Sequence, residues 1–262
     1  MNMKNIFSNT VILLLAGIAS VYAEFNNPVL DKHADDVTFY VNFDETPNAV
    51  LSAGEGTPFR STGTPDFVPG VSGKALRRGM LHYRGGENAD LAASGTLIYL
   101  VAPEATMTEK PENGKEPGFL AVAMTGGEGS YTLFSGKMGG QPWGKAPLNS
   151  YVQYAHGSKI PHVNCVIDER LKAETWKPGE WQMIAVTWKP GSFAASLNGG
   201  NMQYSALQAP MTGTCGEIRL GFGKAEIPAQ VILDEVVILN KELTQQQLKE
   251  IYDLFKKQLP EK

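Results

Sequence analysis

Val231-Ile-Leu-Asp-Glu-Val-Val-Ile-Leu239 and, a few residues on, Leu243-Thr-Gln-Gln-Gln-Leu-Lys-Glu-Ile-Tyr252 set two periodicities side by side. The first run is short and dominated by Val, Ile and Leu, and reads as a strand. The second repeats Leu248, Ile251, Tyr252 and Phe255 at helical spacing. Thr244 stands in the N-cap position, Gln247 completes a capping box three residues later, and Pro260 ends the pattern. The reading is a strand followed by one helix, 244–258, with its apolar stripe against a sheet.

Working back along the chain, nearly everything from Val37 onward is short apolar runs cut by Gly, Pro, Asn and Asp. Trp181-Gln-Met-Ile-Ala-Val-Thr-Trp188 is the strongest strand, and its two tryptophans, an odd number of residues apart, face opposite sides. Pro190-Gly191 leads into Ser192-Phe-Ala-Ala-Ser-Leu197, and Asn198-Gly199-Gly200 is a hairpin signal. Further strands are read at 37–43, 96–101, 118–124, 130–134, 150–154 and 217–221. With 28 Gly and 16 Pro in the chain, this texture indicates a sandwich or barrel. Polar stretches at 105–117 and 136–149 read as exposed loops rather than domain linkers, because the single strands beside them are not stable alone.

The N-terminus has the three parts of a secretory signal peptide: Lys4, the apolar run Val11-Ile-Leu-Leu-Leu-Ala-Gly-Ile-Ala19, and Val21-Tyr22-Ala23. The run is shorter than the ~20 apolar residues of a membrane span, so 1–23 is expected to be a removed leader and 24–262 a single domain without a transmembrane segment. Removal takes the formal charge from −4 to 22 − 27 = −5. An acidic balance argues against nucleic acid as a partner, since binding it rewards clustered Lys and Arg. Cys165 and Cys215 are the only cysteines. In an oxidising compartment a disulfide between them closes a loop of roughly 50 residues, worth about 4 kcal/mol in the chain-entropy model. The alternative is two buried thiols behaving as small apolar residues.

The segment Ile232 to Tyr252 resembles the closing signature of the laminin-G-like jelly rolls, within the concanavalin A-like lectin and glucanase superfamily: Asp-Glu-Val, alternating apolar residues, a polar turn, Leu-Thr, and a helix reaching Tyr. Gly179-Glu-Trp-Gln-Met-Ile-Ala-Val-Thr-Trp188 with Leu197-Asn-Gly-Gly200 resembles the family's tryptophan strand and hairpin. Phe43-Asp44 resembles its first strand, and Gly70-Val-Ser-Gly-Lys-Ala-Leu76 its glycine-rich second turn. The resemblance implies an all-β fold, a two-sheet antiparallel jelly-roll sandwich with one C-terminal helix. One departure is Ala49-Val-Leu-Ser-Ala-Gly-Glu-Gly56, where many relatives carry an Asp-x-Ser-Gly-Asn-Gly type of segment. The resemblance also implies a calcium ion at one edge of the sandwich, and by position Asp44 and Asp234 are its nominated ligands. A carboxylate beside an apolar strand needs a partner. The other way to supply one is for Asp44 to cap a turn and Asp234 to accept backbone N–H groups.

The superfamily includes glucanases, so glycoside hydrolysis is the enzymatic alternative. That chemistry needs two carboxyls flanking one bond. The Glu-x-Asp-x-x-Glu run of the retaining members is missing, and the adjacent pairs Asp168-Glu169 and Asp234-Glu235 are expected to face opposite ways on a strand. No Gly-x-Ser-x-Gly elbow, His-Glu-x-x-His or phosphate-cradling loop is present. Sugar recognition instead uses exposed rings with amides and carboxylates nearby; Trp143, Tyr151, Tyr154 and Trp176 are the nominated ligand-binding residues, with Gln153, His156 and Asn164 close in sequence. The expectation is a secreted or periplasmic, non-catalytic module that binds a glycan or an extracellular protein. A structural subunit of a surface assembly is the remaining alternative.

Overall fold

The structure is a computed structural model, and it describes residues 25–103, 119–127, 130–138, 147–154, 159–160, 162, 163–172, 176–222 and 231–259. The proposed leader 1–23 lies outside them, as do Trp143, His156 and the loop 105–117.

A six-residue helix α1 (Pro28–His33) opens the described chain, capped by the Asn27 side chain. Fourteen strands follow: β1 (Val37–Val41), β2 (Leu51–Ser52), β3 (Arg60–Pro69), β4 (Lys74–Arg84), β5 (Gly95–Pro103), β6 (Phe119–Gly126), β7 (Tyr131–Met138), β8 (Pro147–Tyr154), β9 (Val163–Lys172), β10 (Gln182–Lys189), β11 (Ser192–Leu197), β12 (Gln203–Ala206), β13 (Cys215–Phe222) and β14 (Val231–Leu239). Helix α2 (Gln245–Gln258) closes the fold, and both hydrogen bonds of the Thr244/Gln247 capping box are made.

Every pairing is antiparallel, and the strands form one continuous path, β12-β11-β10-β5-β14-β4-β13-β6-β7-β8-β9. The two separate sheets expected from the sequence are thus one sheet, rolled until β9 returns against β11 and β12. Ser205 Oγ reaches the Asn164 carbonyl at 2.8 Å across that closure. The roll is barrel-like, and its inside is the main core. Phe39, Leu81, Tyr83, Tyr99, Val122, Leu133, Val152, Ile184, Trp188, Ile218 and Ile238 meet there, drawn from nine strands by period-two alternation.

Trp188 is the buried member of the tryptophan pair, while Trp181 packs half-buried on the outer side. A second apolar cluster lies outside the sheet. Ile98, Leu100, Met183, Ala185, Val237 and Leu239 are covered there by Leu248, Ile251 and Phe255 of α2 and by Val29 of α1. The Asn198-Gly199 turn has φ of 54° and 63°, the left-handed pair a tight hairpin needs, and a Cβ on Gly199 would overlap the α2 backbone at Lys249.

Strands β3 and β4 are not legible as strands in the sequence. Their ten and eleven residues carry Gly, Pro and four arginines, and their pairing is interrupted by register shifts. Gly79 sits at φ 80° with no room for a Cβ against Pro65. The predicted glycine-rich turn is real: Gly70 to Gly73 joins β3 to β4, with Gly70 N donating to the Gly73 carbonyl at 3.1 Å.

Cys165 and Cys215 are not bonded to each other, which corrects the disulfide expectation. Both are buried free thiols. Cys165 lies on β9 and Cys215 on β13, with three strands between them in the path. Each sulfur is set against a backbone carbonyl, Gln203 at 2.8 Å and Glu217 at 3.4 Å. Burial pushes the Cys215 thiol up to about 12, so it stays protonated and unreactive.

Candidate functional site

From β3 to β9 the residues alternate with those of the core and present a second, outward face. Register places Arg60 opposite His82, His82 opposite Arg219, Arg219 opposite Ala123, Ala123 opposite Phe134, Phe134 opposite Tyr151, and Tyr151 opposite Asn164. One row therefore crosses seven strands, about 29 Å at the usual ~4.8 Å strand spacing. A parallel row two residues away runs Arg84, Glu217, Thr125, Thr132 and Gln153.

At one end of the first row the Phe134 and Tyr151 rings are stacked, centroids 4.6 Å apart and planes 20° from parallel. His162 meets the Tyr151 ring edge-on at 6.4 Å. Gln153, His162 and Asn164 are exposed around this pair, whereas Phe134 and Tyr151 are half-buried. The stacked pair, with two amides and an imidazole around it, brings together the side-chain types that sugar recognition uses.

The middle of the face is held by Glu217. Arg60 Nη2 donates to its Oε1 at 3.2 Å, His82 Nδ1 lies 2.8 Å from the same oxygen, and Arg219 Nε is 3.4 Å from Oε2. His82 Nε2 is 2.8 Å from Thr62 Oγ1. The tautomer with the proton on Nδ1 satisfies both contacts, donating to Glu217 and accepting from Thr62. Arg60, 3.0 Å from that same nitrogen, is then a neighbour and not a donor to it. Arg219 Nη2 donates to Thr125 Oγ1 at 2.8 Å, and Thr125 and Thr132 hydroxyls are 3.2 Å apart.

Of the four aromatics nominated from sequence, Tyr151 alone is placed on this face. Tyr154 and Trp176 are buried in the core; the first donates its hydroxyl to the Ala209 carbonyl and the second its indole N–H to the Glu180 carbonyl. These are packing positions, with no ring surface left for a ligand. Trp143 lies outside the described residues. Phe134, Arg60, His82, Arg219 and Glu217 were not nominated. In Glu217-Ile-Arg-Leu220 the alternation alone marks Glu217 and Arg219 as facing away from Ile218 and Leu220.

The carboxylates nominated for calcium sit elsewhere, at the β3–β4 turn. Asp44 Oδ1 accepts Lys74 N at 2.9 Å and its Oδ2 accepts Asn42 Nδ2 at 2.8 Å. Asp234 Oδ2 accepts Val71 N and its Oδ1 accepts Glu235 N, both at 2.9 Å. A Cβ at Gly70 or Gly73 would overlap these carboxyls, so the glycines are what lets the turn close over them. Glu235 does not face away from Asp234. The pairing with β5 shifts between Asp234 and Val237, and Glu235 takes φ 53°, so this bulge turns both carboxyls to one side. Glu235 Oε2 receives the Tyr40 hydroxyl at 2.9 Å and the Asn27 amide at 2.5 Å, while Oε1 has no hydrogen-bond partner.

Burial raises the Asp234 carboxyl well above the usual carboxylate range and Glu235 to about 7, and the repulsion between the two adds to the rise at Asp234. Residues 0% and 1% exposed offer no approach to a glycosidic bond, so the pair does not form a hydrolytic site. The side chains of Asp168 and Glu169 lie outside the described ones. Among the described residues no three His, Cys, Asp or Glu side chains are grouped so as to hold a metal ion.

No protein-family model matches the chain, and no curated protein is similar to it in sequence. Solved structures are similar in fold. The binding domain of Paraclostridial Mosquitocidal Protein 1 has a TM-score of 0.57 at 12% identity, covering 83% of this chain and 52% of that one. The receptor binding domain of botulinum neurotoxin C/D mosaic serotype has a TM-score of 0.59 at 12% identity, with 84% and 51% covered. Domain 4 of AbnA, a GH43 extracellular arabinanase from Geobacillus stearothermophilus in complex with arabinotriose, has a TM-score of 0.51 at 17% identity, with 83% and 98% covered. The chain thus spans about half the length of the two toxin chains and nearly all of the arabinanase domain. The class is an antiparallel all-β fold of the type shared by these binding domains. At these identities the likeness is one of fold.

Proposed function

We propose that this protein is a non-catalytic, extracytoplasmic binding module of the laminin-G-like jelly-roll kind, and that its ligand is a glycan held on the outer face of β3, β4, β13 and β6–β9. The observation that carries the reading is the Phe134–Tyr151 stack, set in a row of polar side chains on a face that no helix among the described residues covers. The arabinanase domain, whose structure contains arabinotriose, and the toxin binding domains support a binding role for the fold. The leader-like 1–23 supports export. The reading does without calcium, because Asp44 and Asp234 already accept protein N–H groups.

The test is a glycan array probed with residues 24–262, followed by titration of the best hit against Tyr151→Ala. Stacking is worth about 1 kcal/mol, so the variant should bind about five-fold more weakly while remaining folded, its melting temperature lowered by no more than a few degrees. An empty array, or a hit bound equally by Tyr151→Ala, would overturn the reading in favour of a protein partner or a different face.

A further inference from the structure

The two rows carry three arginines, Arg60, Arg84 and Arg219, against one carboxylate, Glu217. With His82 neutral the balance is 3 − 1 = +2, on a chain whose formal charge is −4. A local reversal of sign against the whole-chain charge is not accounted for by solubility. Folding does not use up the cationic groups either. Glu217 has two carboxylate oxygens, and Arg60, His82 and Arg219 already share them. Arg219 Nε is buried and makes no hydrogen bond among the described residues, with Glu217 Oε2 3.4 Å away. Arg84 is exposed, forms no ion pair with a described residue, and rests its guanidinium 4.3 Å from the centre of the Phe59 ring, which is itself 39% exposed. That cation–π contact holds the guanidinium over the ring at the surface.

From this we infer that the ligand is an anionic glycan, its carboxylate or sulfate groups taken by Arg84 and by the Arg60–Arg219 pair while an uncharged ring rests on Phe134 and Tyr151. The inference rests on the glycan reading above and adds the charge. Planar guanidinium groups match both anions, because each offers two oxygens to a pair of parallel N–H donors. Counting from Arg219 through Ala123 to Phe134, the cationic and aromatic parts stand two strands apart, about 10 Å, so one oligosaccharide can touch both. The Glu217 carboxylate would repel a ligand with uniformly dense charge, which favours separated charges on an otherwise neutral chain.

The experiment uses an array bearing neutral, uronate-containing and sulfate-containing oligosaccharides, then titrations of the best acidic hit and of the same backbone with its charge removed by esterification or desulfation. The expected result is retention of acidic members only, affinity falling steeply as salt shortens the screening length from ~10 Å at 0.1 M to ~3 Å at 1 M. Arg84→Gln should weaken the acidic ligand about ten-fold, with Arg84→Glu weaker still. Because Arg84 is exposed, both variants should keep the wild-type melting temperature. Which acidic class is retained, uronate or sulfate, distinguishes the two sources, and either supports the inference. Neutral and acidic members bound alike, without salt dependence, would overturn the charge while leaving the glycan reading in place. No glycan bound at all would overturn both.

Discussion

The rolled sheet has two outer faces, and they are built to opposite rules. Over β10, β5 and β14 the outward residues are Met183, Ala185, Ile98, Leu100, Val237 and Leu239, and α2 lies on them. Over β4, β13 and β6–β9 the outward residues are His82, Arg219, Thr125, Thr132, Phe134, Tyr151 and Asn164, and no helix among the described residues covers them. The inward residues of both regions are mostly apolar and belong to one core, with Ser135 and Ser150 hydrogen-bonded inside it. The difference teaches that the same alternation serves stability where a helix is available to complete the burial, and recognition where it is not.

Truncating the covered face should have the largest effect on folding. Phe255→Ala removes a fully buried ring from the interface of α2 with the sheet and should cost about 3–5 kcal/mol in denaturant titration. The same truncation on the bare face, Phe134→Ala, should cost well under half as much, because that ring is half-buried. Equal losses would erase the distinction between the faces.

Next in size is the turn over the carboxylates. Gly73→Ala places a Cβ where Asp44 sits, at φ 52°, and should destabilise by about 2–3 kcal/mol, visible as a lower melting temperature. Glu235, buried under α1 and β1, should make the covered side pH-sensitive. Its carboxyl titrates near 7 in the folded chain against 4.5 when unperturbed. Between those values the folded state holds a proton that the unfolded chain has lost, so stability should fall as pH rises from about 4.5 to 7, by up to roughly 3 kcal/mol. Asp234, raised in the same direction, adds to the slope. Glu235→Gln should flatten the pH dependence of the melting temperature; an unchanged slope would show that the buried carboxyl is not responsible.

Smallest should be the response to reductant and chelator. Both thiols are free, so dithiothreitol should shift the melting temperature by less than about 1 °C, where loss of a disulfide would cost about 2–5 kcal/mol. EDTA should likewise leave glycan binding unaltered, in keeping with carboxylates already occupied by N–H donors.

The covered face was the legible one. A capping box, an apolar stripe and a β-branched strand are local signals, and Thr244, Leu248 and Val231–Leu239 each carry their own. The bare face depends on pairing between residues far apart in the chain, such as Arg60 with Glu217, 157 positions away, and no local pattern reports such register. Tyr151, Gln153 and Asn164 were singled out because they lie near one another in sequence, and they share the outward face, whereas the buried Tyr154 and Trp176 show that aromatic character alone does not tell a surface ring from a core one. Glu235 was misread for a definite reason. Period two holds only where the ladder is regular, and the bulge at this residue reverses its side.

The account stands on the outer face of β3, β4, β13 and β6–β9 being where ligand sits. Amide chemical-shift mapping during titration with the best array hit tests that most directly. The largest shifts should fall on Thr125, Phe134, Tyr151, Asn164 and Arg219, with α2 and the 70–74 turn unmoved. Shifts centred on α2, on that turn, or on the exposed Tyr204, with the two rows silent, would contradict it.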